Sequence, residues 1–374
     1  MHFQKKYFKI SFQTIFLFAA IWLMVGFSTG TATLIGPVRW ITTEMRDLHV
    51  NQNNEDLVVK SIIGVLILVS ALISLWLTRF IVNRSQTTST FIVLSACATA
   101  AILSLWLWLH PQYASQGIET SIMMENKSFT FGPYPTEERM IQLKEEGYTD
   151  VISLLNSTVV PFEGKLFDDI KNIAENVGLR IIHIPMVPWV SENEDAIIKM
   201  KEIAKHGRGK YYIHCYLGKD RINVVKRVLE QYNAVVSSID VQASRTLNGK
   251  ESFERGAITK LDTAVYLIPY PTDEEYLGFI LSGSIKYVVS IMDTSIVENG
   301  EWIAKEKKIT NVYQMPFEIL SMRADTIDTL KMLDVVGYVK KLPKPVVVHD
   351  FRSDSPASKE FIRLYSLETD TVQK

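Results

Sequence analysis

His214-Cys-Tyr-Leu-Gly-Lys-Asp-Arg221 places an arginine six residues after a cysteine, with Gly218 between them. The flanks give this stretch its geometry. Lys210-Tyr-Tyr-Ile-His214 is short, aromatic and β-branched and reads as a buried strand, while residues 222–232 carry helical spacing. The motif therefore falls on a strand-to-helix turn. There the backbone N–H groups of residues 216–221 can turn inward, and the helix start adds unpaired N–H groups and a positive dipole end. An oxyanion fits such a cradle, and the same field favours Cys215 as the thiolate, its nucleophilic form. Gly218 lets the backbone fold tightly, and the planar fork of Arg221 can hold two phosphoryl oxygens at once. The plainer alternative is a structural cysteine at the end of a buried strand. The full pattern arises by chance on the order of once in a few thousand chains of this length, which favours the cradle.

On these residues the chain resembles the Cys-dependent tyrosine and dual-specificity phosphatase superfamily, whose signature is HCxxGxxR. The likeness runs upstream through Ser128-Phe-Thr-Phe-Gly-Pro-Tyr-Pro-Thr-Glu-Glu138, a helix-like Arg139–Gly147, Asp150-Val-Ile-Ser-Leu-Leu155 and Arg180-Ile-Ile-His-Ile-Pro185, and covers about residues 120–235. The resemblance implies hydrolysis of phosphate monoesters through a phospho-cysteine, with Cys215 as nucleophile, Arg221 as the transition-state fork, and His214, Tyr216, Leu217, Gly218 and Lys219 forming the phosphate-binding loop.

A second copy follows. Ala264-Val-Tyr-Leu-Ile-Pro-Tyr-Pro-Thr-Asp-Glu-Glu275 repeats Pro-Tyr-Pro-Thr, Tyr287-Val-Val-Ser-Ile-Met292 repeats the Val-Ile-Ser strand, and Tyr313-Gln-Met-Pro316 answers His183-Ile-Pro185. At the cradle, Val346-Val-Val-His-Asp-Phe-Arg-Ser-Asp-Ser-Pro356 puts Asp350 in place of the cysteine and Pro356 in place of the arginine. Asp350 and Asp354 would repel phosphate, and Arg352 is out of place for the fork. The second copy reads as degenerate, covering apolar surface of the first or shaping its substrate groove.

Two departures limit the mechanism. Relatives often carry Ser or Thr directly after the signature arginine, and here the residue is Ile222. The usual aspartate of the acid loop also has no counterpart in Ile184-Pro-Met-Val-Pro-Trp-Val-Ser-Glu-Asn-Glu-Asp195. Two groups can protonate the leaving oxygen instead. Asp220 is placed as in myotubularin lipid phosphatases, and Glu192 sits on a loop able to fold over the cradle. Glu192, Glu194 and Asp195 can equally be the acidic first turn of a helix over residues 196–204. Lys219 resembles the cradle lysine of phosphatase-and-tensin type lipid phosphatases and suits charged head groups; a solvated lysine is the alternative.

The first hundred residues are different material. Apolar runs at about 11–36, 57–77 and 90–109 have the length of membrane-crossing helices, the first punctuated by Gly26, Gly30 and Gly36 and the last closed by Trp106 and Trp108. Lys5, Lys6 and Lys9 precede the first run, and Arg79 and Arg84 lie between the second and third. The loop between the first and second runs mixes Arg39 and Arg46 with Glu44, Asp47, Glu55 and Asp56. The positive-inside rule then predicts a plasma or inner membrane protein with a cytoplasmic N-terminus and extracytoplasmic catalytic domains.

The chain has 374 residues, a formal net charge of −1 and 2 cysteines. Near-neutrality gives no case for nucleic acid, and Cys97 with Cys215 makes no disulfide framework. The expected architecture is an α-helical transmembrane region (1–112) followed by two α/β phosphatase-like domains, each a mostly parallel sheet flanked by helices, catalytic at 113–250 and degenerate at 251–374. The expected partners are a phosphorylated lipid, glycan or protein and the membrane, with no cofactor or metal called for and the oligomeric state open. Competing readings are a pseudophosphatase that binds phosphorylated partners and a rhodanese-like sulfurtransferase; Gly218 and Arg221 at their spacing weigh against the latter.

Overall fold

A computed structural model describes residues 11–38, 41, 52–84, 87–113, 119–158, 162–232, 235–236 and 245–372. Lys5, Lys6, Lys9, Arg39, Glu44, Arg46 and Asp47, which carry much of the topology argument, lie outside them. The chain divides into two compact units, residues 1–114 and 115–374.

Among the described residues of the first unit, three helices are long and apolar enough to cross a membrane, at Phe12–Thr33, Lys60–Asn83 and Thr87–Trp108. Helix α1 (Phe12–Thr33) continues as a π-turn, Leu34–Val38, around Pro37. Helix α2 spans Gln52–Arg84, well beyond the 57–77 expected from hydropathy, because its N-terminal turns are polar and leave no apolar signal. Helix α3 is Thr87–Trp108. Ile21, Val25 and Ile81 are buried between helices, and half-buried Cys97 packs against them. The Trp22 indole donates to Ser70 (3.2 Å) and that of Trp108 to Thr31 (3.1 Å). Phe12, Leu23, Leu68, Trp76 and Phe91 point outward, as an apolar solvent allows.

Among its described residues the second unit holds two large sheets, of six and five strands, whose five corresponding strands follow the same order, and a two-stranded hairpin. The first is β1 (Thr120–Met124), β2 (Lys127–Gly132), β3 (Asp150–Ser153), β4 (Arg180–His183), β5 (Gly209–His214) and β6 (Val235–Val236), in the order β4-β3-β5-β2-β1-β6. Strands β2 to β5 are parallel, while the edge pair β1 and β6 is antiparallel and had no clear sequence signal. Helices α4 (Glu137–Glu145), α5 (Glu163–Val177), α6 (Glu194–His206) and α7 (Asp220–Glu230) connect the parallel strands or follow them. Helices α4, α6 and α7 begin two residues before the expected 139, 196 and 222, since first turns are polar, and α5 is not among the expected helices. Thr136 caps α4 through the Arg139 N–H (3.2 Å), and left-handed Gly178 closes α5.

After the hairpin of β7 (Ser252–Phe253) and β8 (Gly256–Ala257) comes the second sheet. It contains β9 (Thr259–Lys260), β10 (Val265–Pro269), β11 (Tyr287–Ser290), β12 (Phe317–Ile319) and β13 (Val346–Asp350), ordered β12-β11-β13-β10-β9. Only β9 is antiparallel. The order repeats β4-β3-β5-β2-β1 strand for strand. Register matches too: Ser153 pairs with His214 and Ser290 with His349, so Asp350 stands where Cys215 stands in the first sheet. The helix after β10 has shrunk to α8 (Asp273–Glu275) and a π-turn, Tyr276–Leu281, and is followed by α9 (Val297–Tyr313), α10 (Thr329–Lys341) and α11 (Pro356–Val372).

The two sheets share a core. Val224, Val225 and Val228 of α7 lie in one buried cluster with Tyr276, Ile280, Ile309 and Tyr313 of the second repeat. Half-buried Arg227 crosses the same boundary and donates to the carbonyls of Ile280 (2.9 Å), Leu281 (3.3 Å) and Ile285.

Candidate functional site

Strand β5 lies between β2 and β3, and Tyr211, Tyr212 and Ile213 anchor it in the core, so its C-terminal end is fixed. The chain leaves it at His214 and turns through residues 215–219 into α7. Gly218 makes that turn possible in two ways. Its φ is +67°, and a Cβ there would stand 2.7 Å from the Pro133 nitrogen and 2.8 Å from the Pro133 Cα at the end of β2. Its own N–H points at the Cys215 Sγ, 3.2 Å away. Cys215 is 3% exposed, recessed at the floor of the loop.

Arg221, in the first turn of α7, reaches the same floor. Its end-on edge is occupied: Nη1 donates to Glu163 Oε2 (3.0 Å) and Nη2 to Glu163 Oε1 (2.7 Å). Nη1 also reaches the carbonyls of Leu154 (3.0 Å) and Met186 (3.3 Å). Among the described residues no further carboxylate or carbonyl engages the guanidinium, which also meets the Cys215 sulfur, and a planar fork beside that sulfur suits phosphoryl oxygens. Burial works against the guanidinium charge, but the neighbouring Cys215 and Glu163 outweigh it and raise its pKa overall.

Glu163 carries this arrangement and had no signal in the sequence. It is fully buried and accepts the Asn156 N–H (2.6 Å) besides the fork. In sequence it is an acid opening a helix, which the dipole already favours, so nothing marked it as a partner of Arg221. A buried carboxylate needs such a cation, and the pair is costly to break.

The other expected site residues fall around this centre. His214 is fully buried, edge-on to Tyr134 at 5.6 Å, and burial pushes its pKa down to about 3, so it is a neutral packing group at neutral pH. Tyr216 is buried against Phe162 (6.0 Å), its hydroxyl pKa raised by burial and then by Glu163. Leu217 and Lys219 are exposed on the rim, and Ile222 is core. Asp220 turns its carboxylate to Arg245 (2.8 Å), whose guanidinium also stacks over Phe279 of the second repeat (5.7 Å). Glu192 is exposed on a 3-10 turn, Val190–Glu192. Glu194 and Asp195 form the first turn of α6, and Glu194 pairs with Lys308 (2.6 Å), as the helix-start reading has it.

At the matching place in the second repeat, Asp350 accepts the Phe351 N–H (2.7 Å) and the Ser355 hydroxyl (2.5 Å). Arg352 pairs with Asp354 (2.9 Å). The turn thus satisfies itself. A Cβ on Gly256 would sit 2.5 Å from the Ser353 hydroxyl, so the β7–β8 hairpin lies against this loop and covers it. No group of His, Cys, Asp and Glu among the described residues is arranged to hold a metal ion.

No known family profile matches the chain, and no curated protein matches it. Among solved structures, one of a candidate phosphatase (DUF442) from Shewanella putrefaciens CN-32 is 21% identical over 31% of this chain and 69% of its own, with a TM-score of 0.24. A second structure of the same description is 18% identical over 29% and 69%, with a TM-score of 0.22. At that overlap the likeness assigns neither fold nor activity to this chain.

Proposed function

We propose that this chain is a membrane-anchored phosphatase of the Cys-dependent type, hydrolysing phosphate monoesters at Cys215. The observation that carries the reading is the pairing of a recessed sulfur that accepts the Gly218 N–H (3.2 Å) with an arginine that buried Glu163 holds beside it. In the first step the thiolate attacks phosphorus, an S–P bond forms, and the P–O bond breaks with its electrons on the leaving oxygen, which takes a proton from an acid. Water then attacks the phospho-cysteine and gives a proton to the now deprotonated acid, the S–P bond breaks with its electrons on sulfur, and inorganic phosphate leaves the restored thiolate. Arg221 and the loop N–H groups follow the charge that spreads over the equatorial oxygens. Asp220 and Glu192 are the acids proposed, with Lys219 beside the head group of a lipid, glycan or protein phosphate.

Purified full-length chain in detergent should hydrolyse an aryl phosphate and be inhibited by vanadate. Cys215→Ser should abolish turnover and keep oxyanion binding, and Arg221→Ala should lose both. Unchanged activity in Cys215→Ser would rule the mechanism out. Vanadate binding with no wild-type turnover would instead favour the pseudophosphatase reading, which gains from the engagement of Asp220 by Arg245 (2.8 Å). Turnover of thiosulfate in place of the aryl phosphate would favour the sulfurtransferase.

A further inference from the structure

The loop between β4 and α6 touches the cradle at one end and the second repeat at the other. At the cradle end the Met186 carbonyl accepts from Arg221 (3.3 Å). Asn193, 1% exposed, ties the loop to itself: its Oδ1 accepts the Val187 N–H (2.8 Å), and its Nδ2 donates to the carbonyls of Val187 (2.9 Å) and Trp189 (3.0 Å). At the far end the contacts belong to the second repeat. The hydroxyl of buried Tyr313 donates to the Val190 carbonyl (2.9 Å), and the Ser191 hydroxyl donates to Asp273, which Lys305 holds from the other side. Just beyond the loop, Lys308 pairs with Glu194 (2.6 Å) and Lys201 donates to the Val312 carbonyl. The Val190 side chain, 1% exposed, lies in the shared core with Tyr313.

The buried Tyr313 hydroxyl, the Asn193 amide and the Val190 side chain make the loop a fixed wall, because releasing it would strand polar groups away from water, while the Ser191–Asp273 bond pins its exposed tip. Glu192 follows Ser191 directly, so the bond to Asp273 sets where that carboxylate stands. We infer that Tyr313 and Asp273 are positioning residues: the degenerate repeat holds loop 187–193 rigid beside Arg221 and thereby places the group that protonates the leaving oxygen. This rests on the phosphatase reading above and gives the second repeat a role that needs no ligand of its own.

The test uses full-length protein in detergent carrying Tyr313→Phe, which keeps the buried ring and removes one hydroxyl, and separately Asp273→Asn. Two quantities are read: amide hydrogen exchange in residues 187–193 against residues 222–229, and kcat on an alkyl against an aryl phosphate. The expected result is faster exchange confined to the loop, with kcat on the alkyl ester falling on the order of tenfold while that on the aryl ester changes little, since a good leaving group needs no proton. A simple loss of folded protein would lower both rates together. Unchanged loop exchange would overturn the inference, and so would a released loop with an unchanged alkyl-to-aryl ratio. If the wild type turns over neither ester, the phosphatase reading fails by itself, and exchange in the loop decides whether the second repeat holds it.

Discussion

Two buried side chains at the cradle give measurable consequences of opposite character. Glu163 is the only described carboxylate paired with Arg221, so Glu163→Gln leaves a largely buried guanidinium, 11% exposed, short of its counter-charge. The expected cost is about 3 kcal/mol or more of stability, read by denaturant unfolding, together with weaker vanadate binding as the fork loses its alignment. Equal stability and equal vanadate affinity would show that Arg221 is held by the carbonyls alone. His214 acts through protons. Its pKa lies near 3 in the folded chain against an ordinary 6.5. Between those values the unfolded chain takes up a proton that the folded chain refuses, so this histidine lowers stability as pH falls from about 6.5 toward 3 and has no effect above. His214→Asn should flatten the pH dependence in that window, and an unchanged slope would place the sensitivity elsewhere. The acid is tested at the same scale: Glu192→Gln or Asp220→Asn should slow alkyl esters far more than aryl esters, whichever residue supplies the proton.

At the level of elements, the strand–turn–helix around Cys215 was legible because its parts are local: a β-branched aromatic strand, a glycine and a helical repeat all lie within about two dozen residues. The internal repeat was legible for the same reason, since Pro-Tyr-Pro-Thr recurs at residues 133–136 and 269–272 and opens a helix both times. What escaped was whatever depends on chain brought in from afar. Glu163 meets Arg221 across 58 positions, and Tyr313 meets Val190 across 123, and neither pairing leaves a mark at either end. The shrinkage of the second repeat's first helix to α8 and a π-turn was equally hidden, because its capping box at Thr272 and Glu275 is that of an ordinary helix start. The glycine of the turn gives a direct check. Gly218→Ala puts a methyl group against the Pro133 backbone at a positive φ, so the loop must open. Oxyanion binding should be lost while the circular dichroism spectrum is retained, and preserved vanadate affinity would show that the turn tolerates a side chain.

For the whole molecule, the shared core decides how far the repeats can be separated. Removing residues 251–374 uncovers Val224, Val225 and Val228 and leaves Arg227 without the carbonyls it caps. The truncated chain should aggregate or unfold, as size-exclusion chromatography would report, and a monomeric, fully active product would make the second repeat an independent module. The charge pattern of residues 1–112 further predicts that the C-terminal half of the chain is open to protease in sealed right-side-out cells lacking an outer barrier; full protection until lysis would move the substrate to the cytoplasmic side. The functional reading itself depends on one chemical event. Rapid acid quench of full-length protein turning over an aryl phosphate, followed by peptide mass spectrometry, should find a phosphoryl group on the peptide that contains Cys215 and none after Cys215→Ser. Turnover with no adduct at Cys215, or with the adduct on another residue, would contradict the account.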